Sequence, residues 1–158
     1  MIRAGGVGFA FTGLLVAAAC QSQLGYQESV DFGPGYRDRE IAPGEFSVVV
    51  KGYPSTPQER VARLALLRAA RLTVEQDRDA FVILDRIETT QQTSLMTTLL
   101  IPGPEGASLF VPVSVGTASE PIAFLLIALV PAGSNPPDAL RAESLIAEMT
   151  AQLEADDA

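Results

Sequence analysis

The chain contains no histidine, no tryptophan and a single cysteine, Cys20. Without histidine, the commonest general base and the commonest metal ligand are missing, and every histidine-dependent triad is excluded. One cysteine leaves no partner for an intramolecular disulfide and no thiolate zinc site. Aromatic residues are scarce at 6%, whereas 47% of the chain is apolar, so a core must be built from Leu, Val, Ile and Ala. Basic residues are also in deficit, 11 against 19 acidic, for a net charge of −8. A field of that sign repels phosphate backbones, so no nucleic-acid partner is expected. It gives no polybasic help on anionic lipid either. No G-x-S-x-G elbow occurs, and Gly103-Pro104-Glu105-Gly106 lacks the Lys-Ser/Thr ending of a phosphate loop. No cofactor and no enzymatic activity are expected.

What is present first is an address. Arg3 gives a short positive start, an uncharged and mostly apolar stretch follows, and Ala17-Ala18-Ala19 precedes Cys20. This is the layout of a secretory signal peptide over residues 1–19. At about 16 uncharged residues interrupted by glycines, it is short for a spanning helix. Leu14-Leu15-Val16-Ala17-Ala18-Ala19-Cys20 resembles the bacterial lipobox, whose cysteine is diacylated and becomes the mature N-terminus. Ala17 departs from the branched residue usual at its position, and Ala17-x-Ala19 also fits an ordinary signal-peptidase site, which would leave a soluble chain. A lipidated Cys20 accounts for an otherwise unpartnered cysteine in an exported protein. Two or three acyl chains hold stably where one holds marginally. Removing Arg3 with the leader takes the net charge from −8 to −9. Gln21, where Asp would retain an enteric lipoprotein at the inner membrane, favours the outer membrane.

Residues 20–44 show no sustained period and contain Gly33-Pro34-Gly35 and Pro43-Gly44, which predicts a lipidated N-terminus followed by a linker. Tyr26, Phe32 and Tyr36 offer rings that could dock on the domain. Residues 45–158 read as a single domain. A β-branched run at 45–53 predicts a strand. Ser55 or Thr56 is placed to cap a helix that runs to about Asp77, with Val61, Ala65, Ala69 and Leu72 on one face. Further strands are expected at 80–87, 93–101, 109–115 and 121–130, with a hairpin turn at Gln91-Gln92 and Pro112 marking an edge or a bulge. The last of them is apolar throughout and predicts a buried strand. A final helix is expected at 138–153, with a fraying acidic tail. The fold class predicted is α+β: a mainly antiparallel sheet of about five strands with two helices, in the order β-α-β-β-β-β-α.

Some of these residues carry a resemblance. Gly35-Tyr36, then Val50-Lys51-Gly52-Tyr53, then Arg68-Ala69-Ala70 with Leu72-Thr73, and finally Asp79 and Phe81 follow a pattern of spaced motifs. The chain resembles, over residues 17–85, a family of small uncharacterised alphaproteobacterial lipoproteins. Members have a lipobox, a Gly-Tyr, a strand ending in Gly-Asn, a helix like L-Y-R-A-A-E-L-T, and a Gly-Tyr-Asp-x-Phe strand start. Tyr53, Leu67, Arg71 and Asp77 depart from the residues usual at those points. The resemblance implies an α+β fold and an envelope location, and it implies no activity.

Candidate chemistry is sparse. Asp77 and Asp79 lie at a helix-to-strand turn, and a glycosidase pair would need two carboxyls held about 5–10 Å apart across a cleft. Their spacing also lacks the glycine of a calcium loop. Arg60, Arg63, Arg68 and Arg71 form either an anion-binding face or structural pairs with Glu59, Glu75 and Asp79. Arg68, near the apolar boundary, is placed to reach a buried carboxylate or a strand carbonyl. The expectation is an envelope lipoprotein facing the periplasm, attached to the membrane through Cys20. Its non-catalytic domain would have an interaction or scaffolding role toward an envelope protein. The alternative is a sensor or carrier that binds a small envelope ligand between helix and sheet.

Overall fold

The computed structural model describes residues 24–31, 33–102 and 108–158. The leader and Cys20 lie outside the described residues, as does Phe32. Among the described residues, five strands and two helices follow in the order β1 (Gly35–Ala42), β2 (Glu45–Lys51), α1 (Gln58–Glu75), β3 (Ala80–Pro102), β4 (Ser108–Leu129), β5 (Leu140–Arg141) and α2 (Ala142–Asp156). The strands form one sheet ordered β1-β2-β4-β3-β5, antiparallel at every pairing. The α+β class holds, with 26% of the described residues in helix and 47% in strand. The strand order along the chain differs from expectation: two strands precede the first helix.

The extra strand is β1, in the region whose glycines and prolines predict a linker. Gly35 through Glu40 pair with Lys51 through Phe46 of β2. β1 forms the sheet edge, and its charged, weakly alternating sequence is what an edge strand tolerates. Gly35 starts it at φ +130°, and a Cβ there would lie 2.8 Å from the Gln27 carbonyl oxygen. Ahead of it, Leu24 is fully buried within the main core cluster. The folded domain therefore begins by residue 24, not 45.

Two expected pairs of strands are each one strand. β3 runs through Gln91 and Gln92, which pair with Glu120 and Ser119. β4 runs from Ser108 past Pro112 to Leu129. The polarity of Gln91-Gln92 comes from a solvated ribbon, not from a turn. Bulges interrupt the ladder between Ile83 and Asp85 and between Leu95 and Met96.

The core lies between one face of the sheet and α1. Phe46, Val48 and Val50 of β2 alternate inward, as do Ala123, Leu125 and Ile127 of β4. The apolar run at 121–130 is central in the sheet but is covered on that side alone, and Ile122, Phe124 and Leu126 are half-buried on the other. Val61, Ala65 and Ala69 of α1 have no exposed surface, the small side chains letting the helix sit close to the strands. α1 starts without a side-chain cap, at Pro57. The Thr56 hydroxyl, placed by sequence to cap it, accepts instead from the Tyr53 amide at 3.0 Å. The helix ends with Asp77 at φ +54°, where the Arg78 amide donates back to the Thr73 carbonyl at 3.0 Å. α2 packs on α1 with Met149 and Leu153 buried, and it continues to Asp156, so the acidic tail is helical.

Candidate functional site

The arginines of α1 are a concentrated set of charges that the sequence singles out, and three elements decide their fate. Alongside the sheet and α2, the segment ahead of β1 covers a further side of α1. Arg60 is consequently buried, although the helical pattern places it on the solvent side. Its Nε donates to the Leu24 carbonyl at 3.0 Å, and its Nη1 pairs with Asp157 at 2.8 Å. Arg63 pairs with Glu59 one turn away and with Asp156 at the end of α2. These contacts fix the two helices antiparallel and hold the C-terminal acidic residues in place.

Arg68 forms the densest node. It is 8% exposed, and Nε donates to Asp38 Oδ1 of β1 at 2.7 Å. Nη1 and Nη2 fork onto the two carboxylate oxygens of Glu75 at 2.7 and 3.0 Å, and Nη1 also reaches the Tyr26 hydroxyl at 3.3 Å. Its Cζ lies 4.7 Å above the centroid of the Tyr36 ring. Burial alone would lower the Arg68 pKa, but the hydrogen bonds to Asp38, Glu75 and Tyr26 outweigh it and raise it further, so the charge is permanent. Arg71 lies over the Tyr26 ring, its Cζ 4.1 Å from the centroid, and Tyr26 and Tyr36 are 4.8 Å apart.

Two carboxylate partners expected from sequence, Glu59 and Glu75, are found, on Arg63 and Arg68. The third, Asp79, is exposed, and its carbonyl accepts from the Ala142 amide. The partner that the sequence pattern misses is Asp38, which is 30 residues from Arg68 and on a strand read as linker. A buried arginine implies a carboxylate somewhere, but no local spacing says where.

Chemically this arrangement has little left to offer an anion. The donors of Arg60, Arg63 and Arg68 are engaged by carboxylates and a carbonyl of the same chain, and the Arg71 guanidinium is stacked on a ring. The cluster clamps Leu24, Tyr26, Tyr36 and Asp38 onto α1. Asp77 and Asp79 line an open cleft of about 500 Å³ with Val74, Arg78, Arg141 and Glu143. It holds two basic residues among its acids and no buried carboxylate, which suits solvation better than acid–base work.

The residues that carry the lipoprotein resemblance have structural tasks here. Gly35 makes the tight start of β1, Arg68 clamps it, and Ala69, Ala70 and Phe81 have no exposed surface. Thr73 is fully buried and donates its hydroxyl to the Ala69 carbonyl at 2.8 Å. No family model, no curated protein and no solved structure matches the chain.

Proposed function

We propose that this chain is an envelope lipoprotein held on the periplasmic face of a membrane, with the outer membrane favoured, by acyl chains on Cys20. Its domain is a non-catalytic interaction or scaffolding element. The observation that carries the reading is the seating of Leu24. The stretch Leu14–Cys20 has the features of a lipobox, and only Gln21, Ser22 and Gln23 separate Cys20 from a residue locked in the core. Four extended steps span at most about 14 Å. An anchor at Cys20 would therefore press the domain against the bilayer instead of suspending it on a long coil. Membership of the lipoprotein family belongs to the same proposal and rests on the motif residues named above.

No described helix is long and apolar enough to cross a membrane. Against a ligand carrier stands the packing between α1 and the sheet, where Val61, Ala65 and Ala69 are fully buried beside Val48, Val50 and Leu125. The test is palmitate labelling of the full-length chain in a bacterial host beside Cys20→Ala. A label lost in the variant, with a mature chain starting at Cys20, supports the anchor. An unlabelled chain cut after Ala19 overturns it.

A further inference from the structure

β3 and β4 outrun the sheet. The last β2 residue, Lys51, pairs with Ile122, and β5 reaches only Ala80 and Phe81. From Thr89–Ile122 to Pro102–Ser108 the two strands pair with each other alone among the described residues. Fourteen residues of strand make a ribbon roughly 46 Å long. A free two-stranded ribbon is marginal in water, and the outer half of this one is not dressed for water. Leu95 is 48% exposed, Met96 67%, Leu100 58% and Phe110 69%. Both faces carry them, since the register puts Leu99 with Val111 on one side and Leu100 with Phe110 on the other. Of the 30 ionisable Asp, Glu, Lys and Arg side chains, Glu105 alone falls between residues 89 and 119. An acidic protein has kept one long segment almost free of charge.

The arm leaves the domain at the same end as the N-terminus. In the first turn of α1, Gln58 donates to the Ile122 carbonyl at 3.1 Å and Arg60 to the Leu24 carbonyl at 3.0 Å. The arm root and the residue closest to Cys20 thus sit on one helical turn. We infer that the β3–β4 arm inserts its apolar outer half into the lipid bilayer. This rests on the membrane reading above for its setting, and it adds a second attachment. A second protein copy would cover one face of a ribbon, whereas an apolar medium covers both, and both are apolar here. The outer edges still carry backbone groups that hydrocarbon would leave unpaired. Insertion therefore stops at the boundary of headgroups and acyl chains, where water reaches those edges.

The chain lacks tryptophan, so a single one reports its own site without background. Phe110→Trp in the full-length chain places it on the arm. Ser144→Trp places it on exposed α2, beside Asp79 at the opposite end of the domain. Both are mixed with zwitterionic phosphatidylcholine vesicles containing lipids brominated near the top of the acyl chain. The arm tryptophan is expected to shift to the blue and lose most of its emission, the α2 tryptophan to do neither, and Leu100→Asp to reverse the loss. Quenching of the arm in a chain without palmitate would uphold insertion and remove the anchor. A palmitate-labelled, vesicle-bound chain with an unquenched arm would overturn insertion and leave the anchor standing. A blue shift that needs no vesicles and grows with protein concentration would also overturn it, by assigning the arm to a second copy.

Discussion

Arg68 and Asp38 meet at 2.7 Å across 30 residues, and this contact ties the edge strand β1 to the middle of α1. Glu75 takes the other side of the guanidinium. Losing one member of a fully buried pair costs about 3–5 kcal/mol. Here Glu75 is half exposed and Asp38 lies near the edge, so Arg68→Ala is expected to cost about 2–3 kcal/mol in urea unfolding. Arg68→Lys should recover part of that, because an ammonium cannot span Asp38 and Glu75 with a rigid fork.

Gly52 gives a second prediction. A Cβ there would lie 2.8 Å from both Pro121 Cγ and Val61 Cγ2, and 2.9 Å from Thr56 Cβ. Its amide donates to the Pro121 carbonyl at 2.8 Å, at the root of the long hairpin. Gly52→Ala must push apart a strand, a helix and that root. A loss of about 1–3 kcal/mol is expected, read as a lower urea midpoint at an unchanged slope.

Asp77 supplies a prediction of the opposite sign. It follows the end of α1 at φ +54°, the left-handed position that glycine usually fills. The resembling family has glycine there. An L residue in that conformation costs about 1–2 kcal/mol, partly offset by the greater chain entropy that glycine loses. Asp77→Gly should therefore stabilise the domain by about 0.5–1 kcal/mol, seen as a higher thermal midpoint.

These sites show where the sequence was readable. The 3.6-residue period fixes the buried stripe Val61, Ala65, Ala69 and Leu72, because packing against a sheet leaves that trace. It misplaces Arg60, because the segment at Leu24 covers a side of the helix that no period reveals. β1 is hidden for a related reason: an edge strand rich in charge has no apolar alternation. Gln91-Gln92 looks like a turn because polarity marks water, and the inner stretch of the ribbon, with both faces in water, has the same composition as a loop. Arg68 could be singled out from its place at the apolar boundary, but Asp38 could not, since pairing over 30 residues depends on topology.

Tyr36 provides a pH dependence. Burial raises its phenol above the ordinary value of 10.0, helped by Tyr26 and Glu28 and opposed by Arg68. The folded state therefore holds this proton more tightly than the unfolded chain. Its contribution is fully present below about pH 10 and is lost as pH rises through the raised folded value. Urea midpoints measured from about pH 9 to 11 should fall, and the fall should be shallower in Tyr36→Phe, which keeps the ring beneath Arg68. An equal fall in both chains would assign the effect to other groups.

Leu24 decides how the domain sits relative to whatever precedes it. In a flexible linker, Leu24→Ala would change stability by no more than about 0.5 kcal/mol. Fully buried in the core, and with its carbonyl held by Arg60, it is expected to cost about 2–4 kcal/mol. The same change should free the chain between residue 24 and β1, so limited proteolysis should cut the variant there well before the parent. In an acylated chain the consequence is spatial. Releasing Leu24 lengthens the tether from three residues to the full run up to Gly35, and the domain can then lift away from the bilayer. Quenching of a tryptophan at position 110 would weaken in Leu24→Ala while palmitate labelling stayed intact, which separates the geometry of attachment from attachment itself.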